Sequence, residues 1–402
     1  MLELSEIKTR PGEPLLKDGI PVPEPNMISS VISSNLMERL TIDRLLNNLS
    51  FMEFQEDKLI EIDGSYGEGG GQILRTALAF SAITGKPIRV HRIRAGRKNP
   101  GLQPQHLKGV EASARITEGR TEGLKLGSDM ITFVPQHMAS GDYKFEVGTA
   151  GSVTLLLQAL LLPLCLSQES SRLTLVGGTH VLWSPPFDYL KEVLLPILIS
   201  MGISVEASIE RWGWYPKGGG ILHVEVKPIR ELKPIVLIDR GPLKKIRGIS
   251  ATSHLPRHVG ERQKNYAVKE IEKELKMDAE IQVLYDVPAN GPGSFFFLIA
   301  ESQGAMAGFS SVGQRGKRAE EVAAEAVDSL KEYIQLDGCM DPHLADQLIP
   351  FVALAKGNSV LTTTRMTEHL LTNLWVVQHF LDVRISKWGE KGERGRIEFF
   401  NE

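Results

Sequence analysis

Cysteine is nearly missing from this chain of 402 residues. Cys165 and Cys339 are the only two, which excludes a disulfide framework and a four-cysteine zinc site and makes a reducing, cytoplasmic setting the expectation. Long apolar runs are missing as well. The most apolar stretch, residues 153–166, contains Gln158 and Pro163 and is too short to cross a bilayer. It reads as a buried helix, and no membrane partner is expected. The first residues, Met-Leu-Glu-Leu-Ser-Glu, lack the basic start and apolar core of a secretory signal. Positive charge is not in excess: a formal net charge of -3 excludes coating duplex nucleic acid with bulk cationic surface, so any nucleic-acid contact must be local. None of the ten histidines pairs at zinc-helix spacing, since His254 and His258 are separated by Pro256, which speaks against a metal hydrolase.

What remains is ordinary globular composition, 42% hydrophobic and 24% charged, in a chain long enough for two or three domains. Residues 1–57 stand apart. Pro11, Pro14, Pro21, Pro23 and Pro25 precede a short helical pattern at 36–49, and Met52 offers a second start, so this N-terminal extension is expected to be dispensable. From residue 58 the chain repeats one layout three times: a Gly-rich or polar loop, a helix, a strand, a second loop, a second helix and closing strands. The first copy opens with the alternating strand 58–63. Its helix runs to residue 83, its strand covers 88–93, and a helix starts at 105. The second copy has strands at 173–176 and 203–209, and the third has a strand at 359–363 and a helix at 369–380. Residues 239–337 break the scheme and end in a strong helix at 318–334. The expected architecture is therefore α/β, with three βαβαββ-like repeats in a large domain (58–238 and 338–402), pseudo-threefold symmetry and a smaller inserted α/β domain (239–337).

In such a layout the loops before helices matter, because a helix N-terminus presents unpaired N–H groups and partial positive charge. The loop Gly67-Glu-Gly-Gly-Gly-Gln72 suits a phosphate cradle, although the same glycines serve a tight turn. A P-loop is excluded, since Gly-Lys-Ser/Thr is missing and Gln72, Ile73 and Leu74 follow instead. Glu68 suits a metal ion and Arg75, one turn into the helix, a phosphate. Arg94, Arg97 and Lys98, followed by Gln105 and His106, concentrate positive charge in one loop of a chain with negative net charge; a solvated basic loop is the alternative. His369 opens the last helix, where a lone histidine is ordinarily a structural hydrogen-bonding residue.

The stretch Ile62-Asp-Gly-Ser-Tyr-Gly-Glu-Gly-Gly-Gly-Gln-Ile-Leu-Arg75, with Arg94-Ala-Gly-Arg97 and Pro100-Gly-Leu-Gln-Pro-Gln-His106, closely resembles the RNA 3'-terminal phosphate cyclase family. The likeness continues through Gly148-Thr-Ala-Gly-Ser152, Trp183-Ser-Pro-Pro186, Tyr215-Pro-Lys-Gly-Gly-Gly220, His343-Leu-Ala-Asp-Gln347 and Glu368-His-Leu-Leu-Thr-Asn373. It covers about residues 58–400. The resemblance implies an ATP-dependent conversion of an RNA 3'-phosphate end to a 2',3'-cyclic phosphate. His369 would carry AMP; Gln158, His343, Leu344, Ala345, Asp346 and Gln347 would bind ATP. Arg75, Arg94, Arg97, Gln105 and His106 would hold triphosphate and the RNA end, and Glu68 would take Mg2+ or Mn2+. His180 departs from the family pattern and receives no role. The lysine route to adenylylation needs Lys-x-Asp-Gly, and Glu61 occupies the lysine position. Two rivals remain: a non-catalytic relative that assists ribosome assembly, which would lack the nucleophilic histidine, and an enolpyruvyl transferase, to which the Arg94 and His369 segments do not fit.

Overall fold

The computed structural model describes residues 59–401. The expectations for residues 1–57, including the helical pattern at 36–49 and the start at Met52, lie outside the described residues. A first group of elements comprises β1 (Ile60–Asp63), α1 (Gln72–Thr84), β2 (Ile88–His91), α2 (Pro104–Ile116), β3 (Arg120–Glu122) and β4 (Ile131–Val134). β1 and β2 pair in parallel, which demands a crossover, and α1 supplies it; β4 then joins β2 and β3 antiparallel, giving the order β1-β2-β4-β3.

The second group repeats that order. β5 (Asp142–Glu146) and β6 (Ser171–Gly177) are parallel across α3 (Val153–Cys165). A helical stretch α4, made of Phe187–Tyr189, Leu190–Leu194 and Leu195–Ser200, leads to β7 (Ser204–Arg211) and β8 (Gly220–Lys227). The sheet runs β5-β6-β8-β7. The middle piece of α4 is a π-turn, closed by the Leu195 N–H to the Leu190 carbonyl. Pro196 explains it, because a proline has no N–H to give the carbonyl four residues back and its ring crowds that carbonyl.

β9 (Val236–Leu237) starts the third group, which resumes only after a segment with its own sheet: β10 (Leu243–Ser253), α5 (His258–Leu275), β11 (Ala279–Leu284), β12 (Gly293–Ser302), β13 (Met306–Val312) and α6 (Ala319–Gln335). Then come α7 (Pro342–Val352), β14 (Ser359–Thr363), α8 (Glu368–Phe380), β15 (Arg384–Trp388) and β16 (Gly395–Phe400). Read from its β9 edge this sheet is β9-β14-β16-β15, parallel first and antiparallel after, as in the other two. The sequence reading lacked β3, β5, β8 and β9 and named no strand inside 239–337; β8 alternates buried and half-buried residues and was overlooked despite that signal. β5 buries only Phe145 and β9 has two residues, neither of them buried, so hydrophobic alternation had nothing to report.

β12 is buried on both faces, which is why it reads as an unbroken apolar run. Phe295, Phe297 and Ile299 join the main core, while Phe296, Leu298 and Ala300 join a second core beneath α5 and α6. His180 belongs to the first of these cores. Its ring stacks on Trp212 at 3.9 Å, and its Nε2 lies 2.7 Å from Asp188 Oδ2, so this fully buried histidine holds packing together. Among the described residues, no helix is long and apolar enough to cross a membrane.

Candidate active site

α8 starts where Thr367 caps it, its hydroxyl accepting the Leu370 N–H at 3.0 Å and donating to the Asp346 carboxylate on α7. One turn on, Asn373 ties three helices together. Its amide donates to the Asp346 carbonyl at 2.7 Å, and its oxygen accepts from Thr76 at 2.7 Å and Gln72 at 3.0 Å, both on α1. A fully buried asparagine with every partner from another helix fixes their relative register. The consequence is that His369, second residue of α8, faces the loop that precedes α1.

Glu68 lies at the centre. Its Oε2 sits 2.8 Å from Arg97 Nη2 and 3.2 Å from His369 Nε2. The glycines around it are required by these neighbours: a Cβ at Gly70 would stand 2.1 Å from Glu68 Oε1, and one at Gly71 would stand 2.3 Å from His106 Nε2. Gly67, with φ +58, would put a Cβ 2.5 Å from Thr372 Oγ1 on α8. The loop is therefore pinned between the last helix and the side chains of Arg97 and His106.

Burial sets the protonation states. It pushes His106 down to about 3, helped by Arg75 and Arg94, so the ring is neutral. Its Nδ1 accepts the Gln103 N–H at 3.4 Å, which leaves the proton on Nε2, the atom nearest Gly71. Burial also lowers His369 below the ordinary imidazole value; Glu68 opposes this, while Arg75, His343 and Arg97 add to it. His369 is thus neutral at physiological pH. Its Nδ1 is buried without a partner, whereas Nε2 faces Glu68, so only Nε2 is placed to meet a substrate. Arg75 is brought down to about 10 by burial, opposed by Glu68, and keeps its charge. One Nη donates to Gln72, but its buried Nε has no partner. An unspent guanidinium donor beside an uncapped helix start is the chemistry of an anion site. Gly71, the N-cap of α1, supplies no capping side chain, and the first turn carries no acidic residue.

The other expected residues divide. Arg94 spends one Nη on its own loop, donating to the carbonyls of Asn99 and Gly101, and it approaches His106 closely enough to affect it. Gln105 turns away from the cluster, accepting the Ser152 N–H at 2.7 Å and so joining α2 to the start of α3. Gln158 donates to Gln347 at 2.9 Å. These two, with Gln72, Arg75 and Asp346, line a cavity of about 30 Å³ between α1, α3 and α7, room for a water. Leu344 and Ala345 have core side chains, 1% and 0% exposed, and offer a ligand only backbone. Asp346 is buried under Thr367, and burial pushes its carboxyl well up. His343 alone of the pentad is exposed. The sequence reading missed Thr367 and Thr76 as positioning residues. The Thr before Glu368-His369 was the available signal for the first, since threonine is a favoured N-cap; nothing local marked the second.

Among the described residues no group of three or more His, Cys, Asp or Glu could hold a metal ion. Glu68, a single carboxylate beside Arg97 and His369, fits at most an ion that takes most of its ligands from elsewhere, as Mg2+ commonly does. It does not make a protein cage.

Comparison with known proteins adds the following. The model of the family described as RNA 3'-terminal phosphate cyclase matches residues 66–386. A protein named RNA 3'-terminal phosphate cyclase from Methanopyrus kandleri is 45% identical over 345 residues, covering 85% of this chain and 98% of its own length. One of the same name from Pyrococcus furiosus is 42% identical over 340 residues, covering 84% and 98%. Among solved structures, the enolpyruvyl transferase NikO from Streptomyces tendae aligns over 84% of this chain and 47% of its own with a TM-score of 0.32 and 9% identity, too distant to bear on function.

Proposed function

This chain belongs to the RNA 3'-terminal phosphate cyclase family, and we propose that it converts an RNA 3'-phosphate to a 2',3'-cyclic phosphate at the expense of ATP, with His369 as the AMP carrier. The observation that supports this best is the placement of a neutral His369, Nε2 outward, against Glu68 and between Arg97 and Arg75. A neutral imidazole nitrogen with one accessible lone pair is a competent nucleophile near physiological pH.

Three displacements follow. In the tautomer that carries its proton on Nδ1, the Nε2 lone pair attacks the α-phosphorus of ATP; the bond to the bridging oxygen breaks, and pyrophosphate leaves with that electron pair. An oxygen of the RNA 3'-phosphate then attacks the same phosphorus, and the P–N bond returns its pair to the ring. Last, the 2'-hydroxyl oxygen attacks the RNA 3'-phosphorus and expels AMP, the hydroxyl proton passing to the phosphate of the departing AMP. Arg75 and the open start of α1 hold the phosphates, and Arg97 orients Glu68 and contributes positive charge. Neutral His106 offers an Nε2–H donor, which supports an oxyanion without adding a charge that the site would have to desolvate. Glu68, together with the substrate phosphates, would hold Mg2+ or Mn2+, which when bound would offset the charge of departing pyrophosphate. Gln158, Gln347 and the exposed His343 form the side toward which the adenosine would lie.

The three sheets of one strand order are, on this reading, repeats about a pseudo-threefold axis, and residues 239–337 are an α/β domain inserted into the third. The test is incubation with ATP labelled at the α-phosphate, then denaturation and mapping. Label on His369, chased onto RNA bearing a 3'-phosphate, is the expected result. Cyclic ends made by a protein that never becomes labelled would overturn the covalent route, and absence of both would leave a binding protein.

A further inference from the structure

Tyr66 sits at the rim of the site with 42% of its surface exposed. Its ring lies parallel to that of Trp375, centroids 4.1 Å apart and planes at 10°, and Trp375 meets His379 edge-on at 4.3 Å. One face of Tyr66 is thus backed by indole. Exposed tyrosines are common on protein surfaces, but three features set this one apart. A single glycine separates it from Glu68, and that glycine is pressed against Thr372 of the helix that carries His369. Trp375 is on the same helix, six residues beyond His369, or about 9 Å of helical rise. The strip on which Tyr66 stands, residues 64–71, also runs beside the cationic loop: a Cβ at Gly64 would touch the carbonyls of His91 and Arg92, and one at Gly69 would touch Gly96.

That loop holds Arg92 at φ 52 and Arg94 at φ 54, a left-handed conformation that residues other than glycine rarely adopt and that persists where the surroundings enforce it. Arg92, with an exposed side chain, pairs with Asp63, whose carboxylate also takes the N–H and hydroxyl of Ser65, next to Tyr66. Aromatic faces on one bank and guanidinium groups on the other are what a single-stranded nucleic acid requires, bases stacking on the rings while phosphates meet the cations.

We propose that Tyr66, backed by Trp375, is a stacking platform for a base at or next to the reacting 3' end of the RNA. The platform rests on the reading of His369 as the reaction centre. It would bind any of the four bases, because each has a π-face, and it explains how a chain of net negative charge holds RNA locally. The adenine of ATP shares that chemistry, so the test separates the two.

Binding of a 3'-phosphorylated oligoribonucleotide is measured by fluorescence anisotropy without ATP, for the full chain and for Tyr66→Ala, Tyr66→Leu and Tyr66→Phe. The Ala and Leu variants are expected to bind about tenfold more weakly and Phe within about twofold, with labelling from ATP alone retained in all three. An oligonucleotide abasic at its two 3'-terminal positions should bind all four proteins with one weakened affinity. Leucine keeps apolar packing without an aromatic face, so wild-type affinity in Tyr66→Leu would reject stacking, as would an equal further loss on the abasic RNA. Loss of ATP labelling with unchanged RNA affinity would assign the ring to adenine and overturn the proposal. A wild-type protein that binds RNA through Tyr66 but is never labelled at His369 would instead retire the functional reading and leave the platform standing.

Discussion

The starts of α1 and α3 occupy the same place in two sheets of the same strand order, each after a Gly-rich loop, yet they are finished differently. Ser152 closes α3, its hydroxyl accepting the Leu155 N–H at 3.2 Å. α7, the matching helix of the third sheet, is closed by Asp341, whose carboxylate takes the N–H groups of His343 and Leu344. α1 is left open at Gly71, with Arg75 one turn in. A capped start has spent its donors on its own chain; an open one keeps them for a ligand. Three sheets of one strand order thus present three helix starts, or sockets, and the capping residue decides which of them keeps its donors free.

The sharpest way to break this contrast is to remove the group the open socket serves. His369→Ala should lower cyclisation by about a thousandfold or more, with no AMP bound to protein, as read by label transfer; RNA already carrying an adenylylated 3'-phosphate should still close, because that step does not use the nucleophile. Closing the socket comes next. Gly71→Ser would give α1 the cap of α3 and press a side chain on His106, and we expect a loss of roughly a hundredfold, the scale of a lost oxyanion donor. Gly71→Ala, which adds the Cβ without the hydroxyl, measures the share due to crowding. If both variants retain wild-type rates, the open terminus is not used.

Arg97→Lys keeps the charge but loses the fork that reaches Glu68, and a fall of about tenfold in kcat/KM for RNA is expected; equal efficiency at every salt concentration would remove Arg97 from phosphate binding. Opening the closed socket should do less. Ser152→Ala should cost about 1 kcal/mol in urea unfolding and leave the rate per folded molecule unchanged, which is what a purely structural cap predicts. The mildest effect is on pH. Because His106 is held down to about 3 in the fold, the unfolded chain binds a proton there first as pH falls below the ordinary imidazole range. Stability should therefore decline between that range and about 3, and His106→Gln should flatten the decline. An identical pH profile in the variant would show that His106 is not the group responsible.

Several of these features were legible in the residues. Gly67-Glu-Gly-Gly-Gly-Gln72 before an apolar helical pattern marked the loop, the concentration of Arg94, Arg97 and Lys98 marked the facing one, and alternation or apolar runs located β1, β2, β6, β7 and β14 to within a few residues. β5 and β9 escaped because a strand with one buried residue, or none, carries no periodic signal. The sequence left the glycines between ligand approach and a tight turn, whereas Gly70 and Gly71 are demanded first by Glu68, Arg97, Arg75 and His106, contacts that exist only once distant segments meet. Leu344 and Ala345 stand in a motif expected to bind ATP, and the fold turns their side chains into the core so that only their backbone is left for a ligand, because a helix alternates its faces and a motif string does not say which face is inward.

What the sequence determined by itself was local: where helices begin, which loops carry charge, and that one histidine opens the last helix. Only tertiary structure decided that His369, Glu68, Arg97 and Arg75, drawn from positions 68 to 369 of the chain, share one site. Asn373 and Thr367 lock α1, α7 and α8 in register, and the burial that follows from that packing turns His369 neutral and leaves the Arg75 Nε unspent. Desolvation and distance are properties of the assembled fold, and no spacing within a single segment encodes them.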